Sequence, residues 1–283
     1  MTTTVIPGLS GATADAAAAA MSRLEGQAPL GVTFSGGVDS ATLLALAVRT
    51  LGAENVVAVL GVSPSLATDE REAAHRTAAV IGARVVEIET REGDSADYRA
   101  NRPDRCFHCK DELFTRVSED LVEELGLVAV AYGENADDAK RPDRPGSRAA
   151  TNHRVLRPLS EAGMTKAMVR EVARALELPV ADKPAAPCLA SRIPHFEEVT
   201  PEKLRQVDRA EAGLRRLGFS DSRVRHHGDV ARIELPEDEL LTAVQRREEV
   251  DRVVRDAGFR FAALDLRGIQ SGAFTLPLVS VNG

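Results

Sequence analysis

The sequence predicts an α/β protein: a parallel sheet with helices on both faces, followed by a small C-terminal α+β domain. Three observations predict it. A β-prone run, Leu30–Phe34, breaks at Ser35-Gly36-Gly37 and passes directly into an apolar-rich helical stretch. From there to Tyr132 strands and helices alternate, as parallel strands joined by helical crossovers do. Near Thr200 the pattern becomes helix, strand, strand, helix, strand, which suggests one domain over 1–195 and another over 196–283.

Composition agrees with that division. The chain has 283 residues, 43% of them hydrophobic, enough for a sizeable core and a smaller second one. No apolar run approaches the roughly 20 residues of a membrane span, and the N-terminus lacks a basic segment followed by an apolar one. A cytosolic protein with no membrane partner is expected. The net charge of −7 argues against a broad nucleic-acid surface. Three cysteines, a small odd number, suggest chemistry or metal more than disulfides in such a chain.

Residues 1–29 read as a leading arm and one helix, about Thr13 to Leu24. The strand at 30–34 then meets the loop Ser35–Ser40. Its glycines let the backbone approach a phosphate, and the helix behind aims unpaired N–H groups and positive dipole charge at it. The Ser35 and Ser40 hydroxyls add two donors. The loop has neither the Gly-Lys-Ser/Thr of a Walker A motif nor GxGxxG. Gly52 stops the helix.

Val56–Val62 reads as a second strand, ending in Ser63-Pro64. Thr68 suits the cap of the next helix, with Asp69 and Glu70 in its first turn. That helix runs to Gly82, and Arg84–Ile88 is a third strand. Tyr98–Arg105 reads as a polar loop, Asp104 as the cap of a helix from about Arg105 to Leu125, and Leu127–Tyr132 as a fourth strand. Gly133–Asp138, GENADD, follows and should reach the sheet edge that carries the Ser35 loop, where ligands of parallel sheets bind. Without the Ser35 loop, a solvated turn would be the favoured reading of it.

Lys140–Arg157 is basic, with Arg141, Arg144, Arg148, Arg154 and Arg157. Beside a nucleotide site it suits a phosphate-bearing substrate; otherwise it is solvated surface. Thr165–Leu178 is an amphipathic helix, and Pro184, Pro187 and Pro194 keep the following stretch irregular. Helix Pro201–Leu217 carries Glu211 on the apolar stripe of Leu204, Val207 and Leu214. A carboxylate there is either at the edge of the interface, with its head in water, or functional. Arg223–His227 and Val230–Leu235 form a hairpin around Gly228-Asp229, with Arg223 and Arg225 pointing away from the Val224 face. Pro236–Gly258 is a helix and Phe261–Leu266 a last strand.

Cys106 and Cys109 open a helix at i, i+3 and so share one face, while Cys188 lies in a proline-restricted loop. Three thiolates can hold three irons of a [4Fe–4S] cluster and leave the fourth open. A zinc site would need a fourth ligand, which His108 or His195 could supply. In the plainest alternative Cys188 is a loop thiol and the CxxC pair is incidental.

SGGVDS, DRCFHCK, GENADD, PCLASR and RVRHHGDVARIELP, in that order, resemble the LarE family of ATP-dependent sulfur transferases, members of the PP-loop ATP pyrophosphatase superfamily. The resemblance runs from about Gly31 onward. It implies a PP-loop domain over 1–195 and a substrate and oligomerisation domain over 196–283, assembled as a homohexamer. ATP and Mg2+ would be bound by Ser35, Gly36, Gly37, Val38, Asp39, Ser40, Ser63, Asn135 and Asp138. The implied substrate is pyridinium-3,5-biscarboxylic acid mononucleotide, held by Ser191, Arg192, Arg223 and Arg225, with Glu211 catalytic. Its carboxylates would be adenylated and become thiocarboxylates of the nickel-pincer nucleotide used by lactate racemase. In one branch of the family the cysteine matching Cys188 gives up its own sulfur. In the other, cysteines matching Cys106, Cys109 and Cys188 carry a [4Fe–4S] cluster, and this chain has all three. The main rival is a PP-loop thiolase acting on tRNA, which the net acidity disfavours.

Overall fold

The computed structural model describes residues 6–140 and 145–269. Arg141 and Arg144 lie outside the described residues. In chain order the elements are α1 (Gly11–Ser22), β1 (Leu30–Thr33), α2 (Val38–Leu51), β2 (Val56–Val62), α3 (Thr68–Ile81), β3 (Arg84–Glu89), α4 (Ala96–Arg99), α5 (Arg105–Arg116), β4 (Ala129–Tyr132), α6 (Ala136–Ala139), α7 (Pro145–Asn152), α8 (Pro158–Glu161) and α9 (Lys166–Ala175). They continue with α10 (Pro201–Arg216), β5 (Arg223–His227), β6 (Val230–Glu234), α11 (Leu240–Gln245), α12 (Arg247–Asp256) and β7 (Phe261–Leu264). The chain divides into two compact units. The first holds residues 1–63, 70–92 and 106–186; the second holds 64–69, 93–105 and 187–283.

The first unit is built on a four-stranded parallel sheet in the order β3-β2-β1-β4, flanked by helices. All four residues of β1 are buried, which is why it reads as an unbroken apolar run rather than an alternating one. Leu30 faces Val56 on one side and Ala129 on the other, so β2 and β4 flank it in matched register. Leu156 adds one further parallel bridge beside β4. Helix α2 packs on β1 and β2 and is itself covered by α1 and α9. Val59 and Ile88 of the sheet form a second cluster with Val117 and Leu121. The sheet places the ends of β1 and β4 side by side, which brings the Ser35 loop and GENADD to one edge.

The second unit has a three-stranded sheet in the order β5-β6-β7. Its hairpin closes through Gly228 at φ 60°, a left-handed conformation suited to glycine. β7 joins β6 in parallel. Helix α10, capped by Thr200 through the Lys203 N–H at 3.4 Å, packs on β5 and α12. Gly213 leaves no room for a β-carbon against Val253 of α12.

Five local expectations change. The single helix read over Pro236–Gly258 is instead a 3₁₀ turn at Glu237–Glu239 followed by α11 and α12. The helix from Arg105 is regular only to Arg116 and continues as a π turn through Leu121. The stretch Tyr98–Arg105, which reads as a polar loop, begins inside α4, and its Tyr98, Asn101 and Arg105 are all buried, with Asn101 at φ 52°. Part of the basic stretch after Lys140 folds as α7, because Arg148 finds the Phe107 ring 3.8 Å from its guanidinium carbon. Thr68 is the first residue of α3 rather than its cap, and Asp208 accepts from both its N–H (3.3 Å) and its hydroxyl (2.9 Å). Among the described residues no helix is long and apolar enough to cross a membrane.

Candidate active site

The loop after β1 is shaped by its glycines and serines. Gly36 has φ +70°, and a β-carbon there would lie 2.9 Å from the β-carbon of Ala74, so the tight turn requires glycine. Gly37 is the N-cap of α2 in extended conformation. The Ser40 hydroxyl accepts from the Ser35 N–H at 3.2 Å and donates to the Gly37 carbonyl at 3.1 Å, closing the turn. The Ser35 hydroxyl lies 3.2 Å from that of Ser40 and is exposed. Val38 is buried and anchors the helix start. Gly133 lets the end of β4 touch this loop: a β-carbon there would meet Ser40 N at 2.8 Å and Ser40 Cα at 2.9 Å.

That contact assembles a polar constellation. Asn135 caps α6, its Oδ1 accepting from the N–H groups of Asp137 and Asp138 at 3.0 Å each. Its Nδ2 donates to Asp39 Oδ1 (3.1 Å) and Asp138 Oδ2 (2.9 Å). Lys166 Nζ lies 2.5 Å from Asp39 Oδ2, and the Lys166 N–H donates to Asp137 Oδ2 at 2.8 Å. Asp39, Asn135 and Asp138, named from separate motifs, are thus brought together. The carboxylates of Asp39 and Asp138 are the oxygen donors a hard cation such as Mg2+ prefers. Ser63, at the end of β2, donates to buried Glu92 at 2.5 Å.

Lys166 was not legible as a site residue. A cation in the first turn of a helix opposes the helix dipole, and that misfit was the available signal. Glu134, buried in the same motif, accepts from Ser147 and from Ser160 (3.4 Å), with Arg157 at 3.9 Å.

In the second unit the residues around Cys188 form a different arrangement. Glu211 is neither at a wet edge nor open: it is 2% exposed and pairs with Arg192, itself 4% exposed, at 2.8 Å and 3.0 Å. Glu211 Oε1 also accepts from the Val224 N–H at 2.8 Å. Burial pushes the Arg192 guanidinium down, but the Glu211 charge and hydrogen bonds, with a contribution from Cys188, outweigh it and hold it above its ordinary value. Arg192 Nη1 donates to Ser191 Oγ at 2.9 Å. Removing one partner of such a pair leaves a buried charge, at a cost of about 3–5 kcal/mol. Arg225 pairs with fully buried Glu234 at 3.0 Å and 2.8 Å. Arg223 donates to Asp221 and to the Ser222 carbonyl. Arg223 and Arg225 do lie opposite Val224 on β5, yet both faces of the strand are buried.

Cys106 is exposed and Cys109 half-buried at the start of α5, Cys188 is exposed, and none forms a disulfide. Among the described residues no three His, Cys, Asp or Glu side chains come together closely enough to hold a metal ion.

Comparisons with known proteins bear on both arrangements. Residues 13–120 match the asparagine synthase family, whose PP-loop superfamily membership agrees with the parallel sheet and its glycine loop. An uncharacterized protein of Synechocystis is 42% identical over 243 residues, covering 85% of this chain and 90% of that one. The pyridinium-3,5-bisthiocarboxylic acid mononucleotide synthase of Lactiplantibacillus plantarum is 35% identical over 247 residues, covering 85% of this chain and 87% of that protein. An uncharacterized protein of Methanocaldococcus jannaschii is 30% identical over 166 residues, 59% of this chain and 64% of its own length.

Proposed function

The chain belongs to the LarE family, and from that premise we propose that it is an ATP-dependent sulfur transferase acting on pyridinium-3,5-biscarboxylic acid mononucleotide. The observation that carries the ATP half of this reading is the joining of Asp39, Asn135 and Asp138 beside the Ser35 loop.

A carboxylate is a poor electrophile. Its oxygen attacks the α-phosphorus of ATP, and pyrophosphate leaves. The Ser35, Gly36, Gly37, Val38 and Ser40 backbone and hydroxyls meet the phosphates, with Lys166 adding positive charge. Ser63 lies at the end of β2 for the nucleoside side. Asp39 and Asp138 would hold Mg2+, which when bound offsets charge on the departing pyrophosphate. Ser191 and Arg223 are assigned to the substrate, whereas Arg192 and Arg225 spend their guanidinium groups on Glu211, Glu234 and backbone carbonyls. Sulfur delivered at Cys188 attacks the acyl carbon and AMP leaves, giving the thiocarboxylate.

Cys106, Cys109 and Cys188 would supply the donor set of a three-thiolate [4Fe–4S] cluster, all three being thiols outside disulfides. Such a cluster when bound supplies an open iron for exchangeable sulfide. A homohexamer and delivery of the product to nickel-pincer nucleotide biosynthesis complete the proposal.

The test is incubation of anaerobically purified protein with Mg-ATP, sulfide and the biscarboxylate mononucleotide. AMP and pyrophosphate should form only with the substrate present, and the product should carry sulfur in place of carboxylate oxygen. ATP cleavage stimulated instead by tRNA would move the chain to the thiolases.

A further inference from the structure

We propose that a frame of three buried arginines fixes the backbone that presents Cys188, and that Arg105, Glu211 and Glu234 are positioning residues for sulfur transfer. The proposal rests on Cys188 being the thiol that handles sulfur.

The turn Pro187–Ser191 carries 3₁₀ bonds of its own, from the Ser191 N–H to the Cys188 carbonyl at 2.9 Å and from the Ile193 N–H to the Ala190 carbonyl at 3.2 Å, and guanidinium groups tie it to the rest of the unit. Arg192 Nη1 donates to the Pro187 carbonyl at 2.6 Å and the Cys188 carbonyl at 3.3 Å. Arg105 Nη1 donates to the Ala190 carbonyl at 2.9 Å. Arg225 Nη1 donates to the Ser191 carbonyl at 3.1 Å. The Leu189 N–H reaches the Ser65 carbonyl at 2.9 Å. Four of the five carbonyls from Pro187 to Ser191 therefore accept from an arginine.

The three arginines are 7%, 4% and 5% exposed, in the order Arg105, Arg192 and Arg225. Two are locked from behind by buried carboxylates: Glu211 grips Arg192 and Glu234 grips Arg225, each with two hydrogen bonds. Arg105 is steadied by Asn101 Oδ1 at 2.5 Å, and Asn101 Nδ2 donates to the Ile193 and Pro194 carbonyls at 3.2 Å and 2.7 Å.

Stability alone does not call for this. Buried ion pairs cost desolvation, and apolar packing would anchor a turn at least as well. The planar guanidinium does what apolar packing cannot: it takes a carboxylate on one edge and a backbone carbonyl on another, at fixed angles. The frame grips the backbone while Cys188 itself stays exposed. A sulfur atom presented at one position, on a turn that cannot rotate, is what attack on a bound acyl-adenylate needs. Glu211, with both oxygens committed to Arg192 and Val224, acts through Arg192 rather than on substrate.

The test is amide hydrogen exchange on the purified full-length protein, alongside steady-state kinetics, for wild type, Glu211→Gln, Glu234→Gln and Arg105→Lys. In wild type the amides of Leu189, Ser191 and Ile193, which have backbone acceptors, should be protected like those of a helix interior. Each variant should raise their exchange by about tenfold and lower kcat by about tenfold or more, with KM for the biscarboxylate changed less than about twofold. Unchanged exchange in the variants, fast exchange in wild type, or a raised KM at constant kcat would overturn the frame. If Glu211→Gln does not fold, Arg105→Lys and the wild-type protection still decide it. The exchange measurement needs neither ATP nor substrate. Absence of sulfur transfer with a protected turn therefore sinks the functional reading alone, and sulfur transfer with an unprotected turn sinks the frame alone.

Discussion

Lys166 and Asp39, separated by 127 positions in sequence, meet at the phosphate-loop edge with Nζ 2.5 Å from Oδ2. The ammonium offsets the carboxylate beside Asn135 and Asp138, and in the proposed reaction it would face the negative charge of a triphosphate. Lys166→Gln should lower AMP and pyrophosphate formation by about tenfold or more, because one cation facing the leaving group is lost. Asp39→Ala should abolish it. Pyrophosphate release at saturating ATP, with thermal melts to verify folding, checks both. Wild-type rates in Lys166→Gln would mean that the lysine only neutralises Asp39.

Two glycines should tolerate no side chain. Gly133→Ala puts a methyl group against the Ser40 backbone at 2.8–2.9 Å, a clash that costs about 1–3 kcal/mol and pushes GENADD off the loop. Gly36→Val adds contact with Ala74 to a backbone at φ +70°. Both should lose ATP cleavage, and urea midpoints should fall. Gly93→Ala, where no atom lies within 4 Å of the added carbon, is the control and should melt as wild type does.

Stability should fall with acid in a defined window. His226 is 3% exposed, its Nε2 lies 3.0 Å from Gln206 Oε1, and its Nδ1 is buried with no hydrogen-bond partner. Burial first, then the charges of Lys203 and His227, lower its pKa from 6.5 to about 4. The unfolded chain therefore binds the extra proton between those values. The stabilisation from a neutral His226 is complete above pH 6.5 and is lost as pH falls towards 4. Melting temperatures measured from pH 7 to 4 should show this decline. His226→Gln, which cannot take up that proton, should flatten it; an identical slope would remove His226 as the cause.

The fate of Cys188 separates the two family branches. With a cluster, protein mass is unchanged after turnover, and Cys106→Ala, Cys109→Ala and Cys188→Ala each lose activity. With a sacrificial Cys188, its Cβ–S bond breaks, the α-proton departs and the chain loses the mass of H₂S. Intact mass spectrometry before and after a single anaerobic reaction reads the difference. Dehydroalanine at 188, with Cys106→Ala and Cys109→Ala still active, would overturn the cluster.

Much of this protein was legible one segment at a time. The strand Val56–Val62 was bounded correctly because its apolar run ends at Ser63-Pro64. The helices read from Thr165 and from Pro201 are present, capped by Thr165 and Thr200, and Gly228 turns the hairpin. The Ser35–Ser40 loop and GENADD were readable because glycine and asparagine mark backbone conformations that few other residues take. The burial of Tyr98, Asn101 and Arg105 in what reads as a polar loop was not legible, because polar residues carry no local sign that distant carbonyls will satisfy them.

By itself the sequence determined the period of each element, the places where the chain turns and the residue types able to do chemistry, since all of these depend on neighbours a few positions away. Only the tertiary structure decided which charges meet. The stripe of α10 put Glu211 on the apolar face and left open whether its head reached water; the topology buried it and brought Arg192 and Val224 to it. Arg105 finds Ala190 across 85 positions and Lys166 finds Asp39 across 127. A buried charge must be paired wherever the fold places it, and its partner is set by the crossing of elements rather than by anything written beside it in the chain.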